Sequence, residues 1–165
     1  MVRLQELNDW NDEQFIQELG GVFESSPWVA KKAVKFRPFT SLKDLHEKMV
    51  GIVADSPQTE QLELIRSHPD LGANIKMSSQ SVSEQEEAGL RDLTEEEFRS
   101  FHHLNEIYQQ RFQFPFIFAV KGKRKTEIHA ALRTRVANDR RAEFQKALEE
   151  VYAIASFRLI DKIEE

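Results

Sequence analysis

The chain has 165 residues, 23 Lys and Arg against 28 Asp and Glu for a formal charge of −5, 40% hydrophobic residues and 12 Phe. That size and apolar content predict one compact domain, 1–165, with a sizeable core, and exclude a disordered chain or a collagen. The absence of cysteine excludes disulfide staples, thiolate nucleophiles and thiolate-built zinc sites, and suits a reducing cytoplasm.

No stretch approaches the ~18–20 apolar residues that a membrane span needs, and Met1-Val2-Arg3-Leu4 opens no signal-peptide core, so a cytoplasmic protein with no membrane partner is expected. Phe15, Ile16, Leu19, Val22 and Phe23 recur at helical spacing, as do Leu42, Leu45, Met49, Ile52 and Val53. Ser26-Pro27 and Ser56-Pro57 each set a capping residue before a proline, predicting two helix starts with the serines as N-caps. The second start predicts a helix from Pro57 to about Ser67 with Leu62 and Ile65 inside. Pro69 then pushes His68 out of helical geometry, placing its imidazole at a fixed corner before a loop over 69–81. Such a corner can present a side chain to a cleft, or let an imidazolium cap the helix C-terminus.

Ser81 and Glu84 have the spacing of a capping box, so a helix is predicted to open there, with Ser81, Gln85 and Ala88 on one face. Gly89 is awkward inside a helix and fits a turn or a close approach. Glu84, if near His68, would orient the ring and raise its affinity for a proton. Thr94 with Glu97 opens another predicted helix over 94–112, carrying Phe98, Phe101, Leu104, Ile107, Tyr108 and Phe112. Phe114-Pro115-Phe116-Ile117-Phe118-Ala119-Val120 would read as a buried strand by propensity, yet it has no obvious partner strand. An extended buried linker is predicted, whose backbone groups must find a helix terminus, water or a ligand.

Lys121-Gly122-Lys123-Arg124-Lys125 reads as a solvated turn, and the acidic total argues against a nucleic-acid partner. The last ~40 residues are helical, with Phe144, Leu148, Val151, Ala155 and Leu159 as a buried stripe. Arg158 lies at the edge of that stripe and needs an anion: Glu84, another acidic side chain or a bound carboxylate. His46 and His129 have no ligand partner at i+3 or i+4, and His102 and His103 are adjacent on a helix and point about 100° apart, so no metal site is expected. Phosphate-loop, dinucleotide and Ser-His-Asp signatures are absent. The fold class is all-α, about seven to nine helices with one extended linker.

In order along the chain stand Glu24-Ser25-Ser26-Pro27-Trp28-Val29-Ala30, Arg37-Pro38, His68-Pro69-Asp70-Leu71-Gly72, and Ser81-x-x-Glu84-Gln85-x-x-Ala88-Gly89-Leu90. Leu104-Asn105-x-x-Tyr108, Phe112-Gln113-Phe114-Pro115-Phe116-Ile117, Val120-Lys121-Gly122 and Arg158-Leu159 follow. Together they resemble the family of 2-oxo-4-hydroxy-4-carboxy-5-ureidoimidazoline (OHCU) decarboxylases, carboxy-lyases of urate breakdown. The resemblance implies an all-helical fold, often homodimeric, that makes (S)-allantoin and carbon dioxide without a cofactor. It carries proton transfer to His68 and a supporting role to Glu84. It would line the substrate pocket with Pro69, Ser81, Gln85, Arg158 and the backbone of Phe116, Ile117, Phe118, Ala119 and Val120.

The sequence departs from the family pattern at Gln113, where glycine is usual, and at Arg135-Val136 in place of Arg-Leu. Relatives can be fused to urate oxidase or to the preceding hydrolase, so association with urate oxidase is an implied partner besides the substrate. The rival readings are a helical binding module, whose corner and Phe-rich segment dock a partner helix, and a structural domain of a larger purine-catabolic enzyme.

Overall fold

Helical periodicity is realised along most of the chain, and the computed structural model describes residues 1–71, 79–90 and 92–165. They form two compact units, Met1–Ser67 with Tyr152–Glu165, and His68–Val151. Among the described residues no helix is long and apolar enough to cross a membrane.

The first unit begins with a short strand β1 (Val2–Arg3), α1 (Leu4–Asp9) and α2 (Asp12–Leu19), followed by α3 (Trp28–Ala33) and a 3₁₀ turn at Val34–Phe36. Next come α4 (Leu42–Ala54) and α5 (Gln58–Arg66), and β2 (Ile163–Glu164) pairs in parallel with β1, Val2 opposite Ile163. Of the expected periodic positions, Phe15, Leu19, Val22, Phe23, Leu45, Met49 and Val53 are buried, whereas Ile16, Leu42 and Ile52 are half-buried. Arg37 ties α2 to the 3₁₀ turn: its guanidinium donates to Asp12 Oδ1 at 2.6 Å and to the Val34 carbonyl at 3.0 Å, and it lies over the Phe15 ring.

Two details of the predicted starts differ. In both Ser-Pro pairs the proline is the N-cap, its carbonyl accepting the first intrahelical bonds from Lys31 and Gln61. The serine hydroxyls turn backward instead, Ser26 Oγ to the Glu24 carbonyl and Ser56 Oγ to the Ile52 carbonyl, because a local backbone acceptor competes with capping. In α5 it is Leu64 with Ile65 that is buried, while Leu62 is half-buried.

The second unit contains α6 (Ser79–Glu87), α7 (Glu95–Phe112) and α8 (Lys125–Arg135). It also takes the residues up to Val151 of α9 (Arg140–Lys162). The predicted capping box forms: the Glu97 N–H donates to Thr94 Oγ1 at 3.1 Å, and the Thr94 N–H to Glu97 Oε1 at 2.9 Å. Glu97 also accepts from Lys125 Nζ at 2.8 Å, and these bonds pull its carboxyl down to about 2. A depressed carboxyl stabilises the fold above its ordinary value and loses that contribution as pH falls towards 2. Glu97→Gln should therefore show a shallower loss of urea midpoint than the parent between pH 4.5 and 2.5, and identical slopes would remove Glu97 from the acid response.

Around Tyr108 the aromatic run wraps inward, with Phe112 at 4.6 Å, Phe116 at 5.4 Å and Phe114 at 5.9 Å between ring centroids. Helix α7 ends at Gln113, whose φ of 63° and ψ of 27° are left-handed. Glycine is the natural residue there, since an L side chain in that region meets the following carbonyl. Gln113→Gly should stabilise the protein by about 0.5–1 kcal/mol, the relief of steric cost being partly offset by the looser unfolded chain. A denaturant midpoint that falls instead would contradict this.

Candidate active site

Helix α5 stops at Ser67, its C-cap, and His68 follows as a buried corner, 8% exposed. The proline after it forbids another helical residue, as the sequence suggested. What the sequence did not disclose is how the corner is held. Asn105 Nδ2 on α7 donates to the Leu71 carbonyl at 2.9 Å, and one turn on, Gln109 Nε2 donates to Asp70 Oδ1 at 3.4 Å. Burial pushes the Asp70 carboxyl up, opposed by Gln109 and by the charge of His102. Gly72, and most of the loop expected over 69–81, lie outside the described residues.

Helix α6 begins two residues earlier than predicted, at Ser79, so Ser81 is inside the helix and is not its N-cap. The Ser81–Glu84 spacing occurs inside a helix as readily as at its start, and only a start at Ser81 would leave the free N–H groups that a capping box needs. The predicted face is nevertheless real: Ser81, Gln85 and Ala88 are buried, and Glu84 is half-buried beside them in sequence. Gly89 closes the helix at φ 81°, with its N–H on the Glu86 carbonyl and the Leu90 N–H on the Gln85 carbonyl. This paired bonding requires a left-handed residue, the turn reading of Gly89.

Residues 115–120 have no helix, strand or bend, and all but half-buried Phe118 are buried. The extended linker thus forms, but two of its backbone groups find side chains, partners the sequence reading did not name. The Ile117 carbonyl accepts from Arg135 Nη1, and the Ala119 N–H donates to Glu150 Oε1 at 3.3 Å. Behind Arg135 stands a buried set: Arg135 Nε and the Tyr108 hydroxyl both donate to Glu143 Oε1 at 2.6 Å, and Asn138 Nδ2 to Glu143 Oε2 at 3.1 Å. Burial and the adjoining Glu143 push the Tyr108 hydroxyl far above the ordinary phenol range.

Among the described residues, the N–H groups of Phe116, Ile117, Phe118 and Val120 donate to no protein acceptor. The run ends in the predicted exposed turn, Gly122 at φ 76° and the Lys123 N–H on the Val120 carbonyl at 2.9 Å.

His68, Pro69, Ser81, Glu84, Gln85 and residues 116–120 all belong to the second unit, and Arg158 belongs to the first. The anion that Arg158 needs is the Glu24 carboxylate, at 2.8 Å, both side chains being about 5% exposed or less. Its Nη1 also donates to the Gly21 carbonyl at 3.2 Å. Glu24 heads the first family motif, so a charge match between motifs was the available signal for this pair.

Two of the other histidines make structural hydrogen bonds. His46 Nε2 is bonded to the Tyr152 carbonyl at 2.8 Å, and His129 Nε2 to Ser100 Oγ at 2.6 Å. The Ser–His pair is no nucleophile and base, because Arg133 donates to His129 Nδ1 at 3.2 Å. That leaves the ring proton on Nε2, which donates to the serine, where a base would have to accept. Burial first, then Arg133, lowers the His129 imidazole below its ordinary value. Among the described residues no three His, Asp or Glu side chains are placed to hold a metal ion.

The second unit thus carries a buried histidine corner, a buried polar helix face and a run in which, among the described residues, four N–H groups donate to no protein acceptor. Residues 8–160 match the model of the OHCU decarboxylase family, and the chain belongs to that family. It is 48% identical over 165 residues to a uric acid degradation bifunctional protein of Bacillus subtilis, all of this chain against 33% of that one. A similar bifunctional protein of a Bacillus species is 46% identical, so the chain spans about a third of the length of these two relatives.

An OHCU decarboxylase of Haloferax volcanii is 41% identical over 96% of this chain and 95% of its own. Among solved structures, (S)-allantoin synthase superposes with a TM-score of 0.83 at 33% identity, over 98% of this chain and 54% of the other. An OHCU decarboxylase structure determined with (S)-allantoin, at 22% identity and a TM-score of 0.73, shares the fold.

Proposed function

We propose that this chain decarboxylates 2-oxo-4-hydroxy-4-carboxy-5-ureidoimidazoline to (S)-allantoin and carbon dioxide in urate breakdown. The observation that carries the reading is the run 115–120, buried except at half-buried Phe118, in which, among the described residues, the N–H groups at 116, 117, 118 and 120 donate to no protein acceptor. Backbone donors buried without a protein partner are costly unless something polar meets them, and a ring bearing carboxylate, carbonyl and ureido groups supplies the acceptors.

The substrate provides its own electron sink. As the bond to the carboxylate breaks, its electron pair forms a carbon–carbon double bond to the neighbouring imine carbon, and the imine nitrogen takes up a proton. The resulting enol then releases its hydroxyl proton and becomes the carbonyl, while the carbon bearing the ureido group takes a proton on one face. In this scheme His68 moves the protons, and Glu84 orients its ring. Ser81, Gln85, Pro69 and the amides of 116–120 hold the ring and ureido group, and Arg158 recognises an anionic group. Burial of His68, Ser81 and Gln85 supports a poorly solvated setting, which favours loss of a charged carboxylate. By the family resemblance the protein would act as a cytoplasmic homodimer, alone or joined to urate oxidase.

The test generates the unstable substrate in place, from urate with urate oxidase and hydroxyisourate hydrolase, and follows circular dichroism. The unassisted reaction gives racemic allantoin, so an optical signal that rises only with this protein is the expected outcome. No gain in rate or handedness from folded protein would sink the reading and leave a binding or structural module.

A further inference from the structure

Two neighbouring peptide groups of the buried run are each gripped at one end by a charged side chain and open at the other. Arg135 donates to the Ile117 carbonyl. The peptide is planar and trans, so the Phe118 N–H in the same unit points opposite to that carbonyl, away from Arg135. Glu150 accepts the Ala119 N–H at 3.3 Å, and by the same geometry the Phe118 carbonyl points away from Glu150. Among the described residues, neither the N–H nor the carbonyl of Phe118 bonds to protein.

Hydrogen bonds in a chain polarise one another, so a cation on the Ile117 carbonyl makes the Phe118 N–H a stronger donor. A carboxylate on the Ala119 N–H likewise makes the Phe118 carbonyl a stronger acceptor. The Arg135 fork is itself held on several sides. It is held by Glu143, which Tyr108 and Asn138 also bind, and its guanidinium lies 4.5 Å from the Phe116 ring centroid. With Arg135 5% and Glu143 0% exposed, such a pair adds little net stability, whereas it fixes direction well.

We propose that Arg135 and Glu150 are positioning residues that aim and strengthen the two open groups of Phe118, making this one residue a donor–acceptor pair for a urea-type N–H and carbonyl edge of the substrate. The inference rests on the decarboxylase reading above and deepens it. A ring held by both a donor and an acceptor cannot turn over, so one face is kept towards the proton source. Handedness of the product is then set in part by two charges that never touch the substrate.

The experiment measures initial rates and the ratio of (S)- to (R)-allantoin for Arg135→Lys, Glu150→Ala and Glu150→Gln, together with melting curves. Arg135→Lys keeps the charge and loses the fork; Glu150→Gln keeps an acceptor and loses the charge. Arg135→Lys and Glu150→Ala should raise KM about tenfold, the worth of a charge-assisted hydrogen bond, and lower the (S) excess, with Glu150→Gln in between. Folded variants that melt differently but retain the parent's KM and product ratio would overturn the proposal.

Should Arg135→Lys not fold, half-buried Glu150 decides the matter by the same readouts. An inactive parent would count against the decarboxylase reading, and the amide resonance of Phe118 then tests the positioning separately. It should move on adding (S)-allantoin to ¹⁵N-labelled protein and move less in Glu150→Ala. An unmoved resonance would overturn the assignment of Phe118 as the contact.

Discussion

Replacing His68 by alanine should lower kcat by about 10²- to 10⁴-fold, the span typical of a lost proton-transfer group, while the protein stays folded. The fold should tolerate the change because the backbone of the corner has supports outside the imidazole. Pro69 ends the helix, and Asn105 and Gln109 hold the Leu71 carbonyl and the Asp70 carboxylate from α7. The residual rate should give allantoin of lower optical purity, since solvent can protonate either face of the enol once the positioned donor is gone.

Glu84→Gln should cost less than His68→Ala, because an uncharged amide can still orient a ring but does not favour its protonated form. Far-ultraviolet dichroism and melting separate these outcomes from unfolding. Unchanged kcat in folded His68→Ala protein would remove His68 from the chemistry and leave it a packed corner residue.

How far such a site can be read from sequence depends on the separation of the interacting groups along the chain. Thr94 and Glu97 are three residues apart, and their reciprocal bonds form as the spacing dictates. The run after Phe114 was legible for a different reason: an apolar stretch without a partner strand can only be an extended linker. Its supports were not legible. Arg135 is 18 residues from Ile117, Tyr108 is 35 from Glu143 and Asn105 is 34 from Leu71, so no periodicity connects them.

A weaker signal did exist, in that Asn105 and Tyr108 place polar atoms on the buried side of α7 with Phe101 and Phe112. A polar group on an apolar stripe must have a partner; sequence says that one exists without saying which. Ser81 illustrates the reverse failure. Its local pattern was real, but a helix that starts at Ser79 turns a cap into a buried side chain on the helix face.

Removing the guanidinium of Arg158 should produce the largest loss of stability. In Arg158→Met the Glu24 carboxylate, 3% exposed, loses the cation at 2.8 Å. Breaking a buried pair from one side costs about 3–5 kcal/mol, which for a chain of this length lowers Tm by roughly 6–20 °C. The double variant Glu24→Gln with Arg158→Met should recover most of that loss, because the cost lies in burying a carboxylate without its guanidinium more than in the absent attraction. If the double variant melted as low as the single one, packing of the arginine stem would be the cause.

The same position also separates a structural arginine from one that recognises the substrate. Arg158→Lys keeps a cation for Glu24 but has no planar fork to grip a carboxylate with two bonds. A raised KM in a lysine variant that melts near the parent would therefore mean that Arg158 serves both Glu24 and the substrate. Parental kinetics in that variant would assign Arg158 to the Glu24 pair alone and leave anion recognition to the backbone donors of residues 116–120.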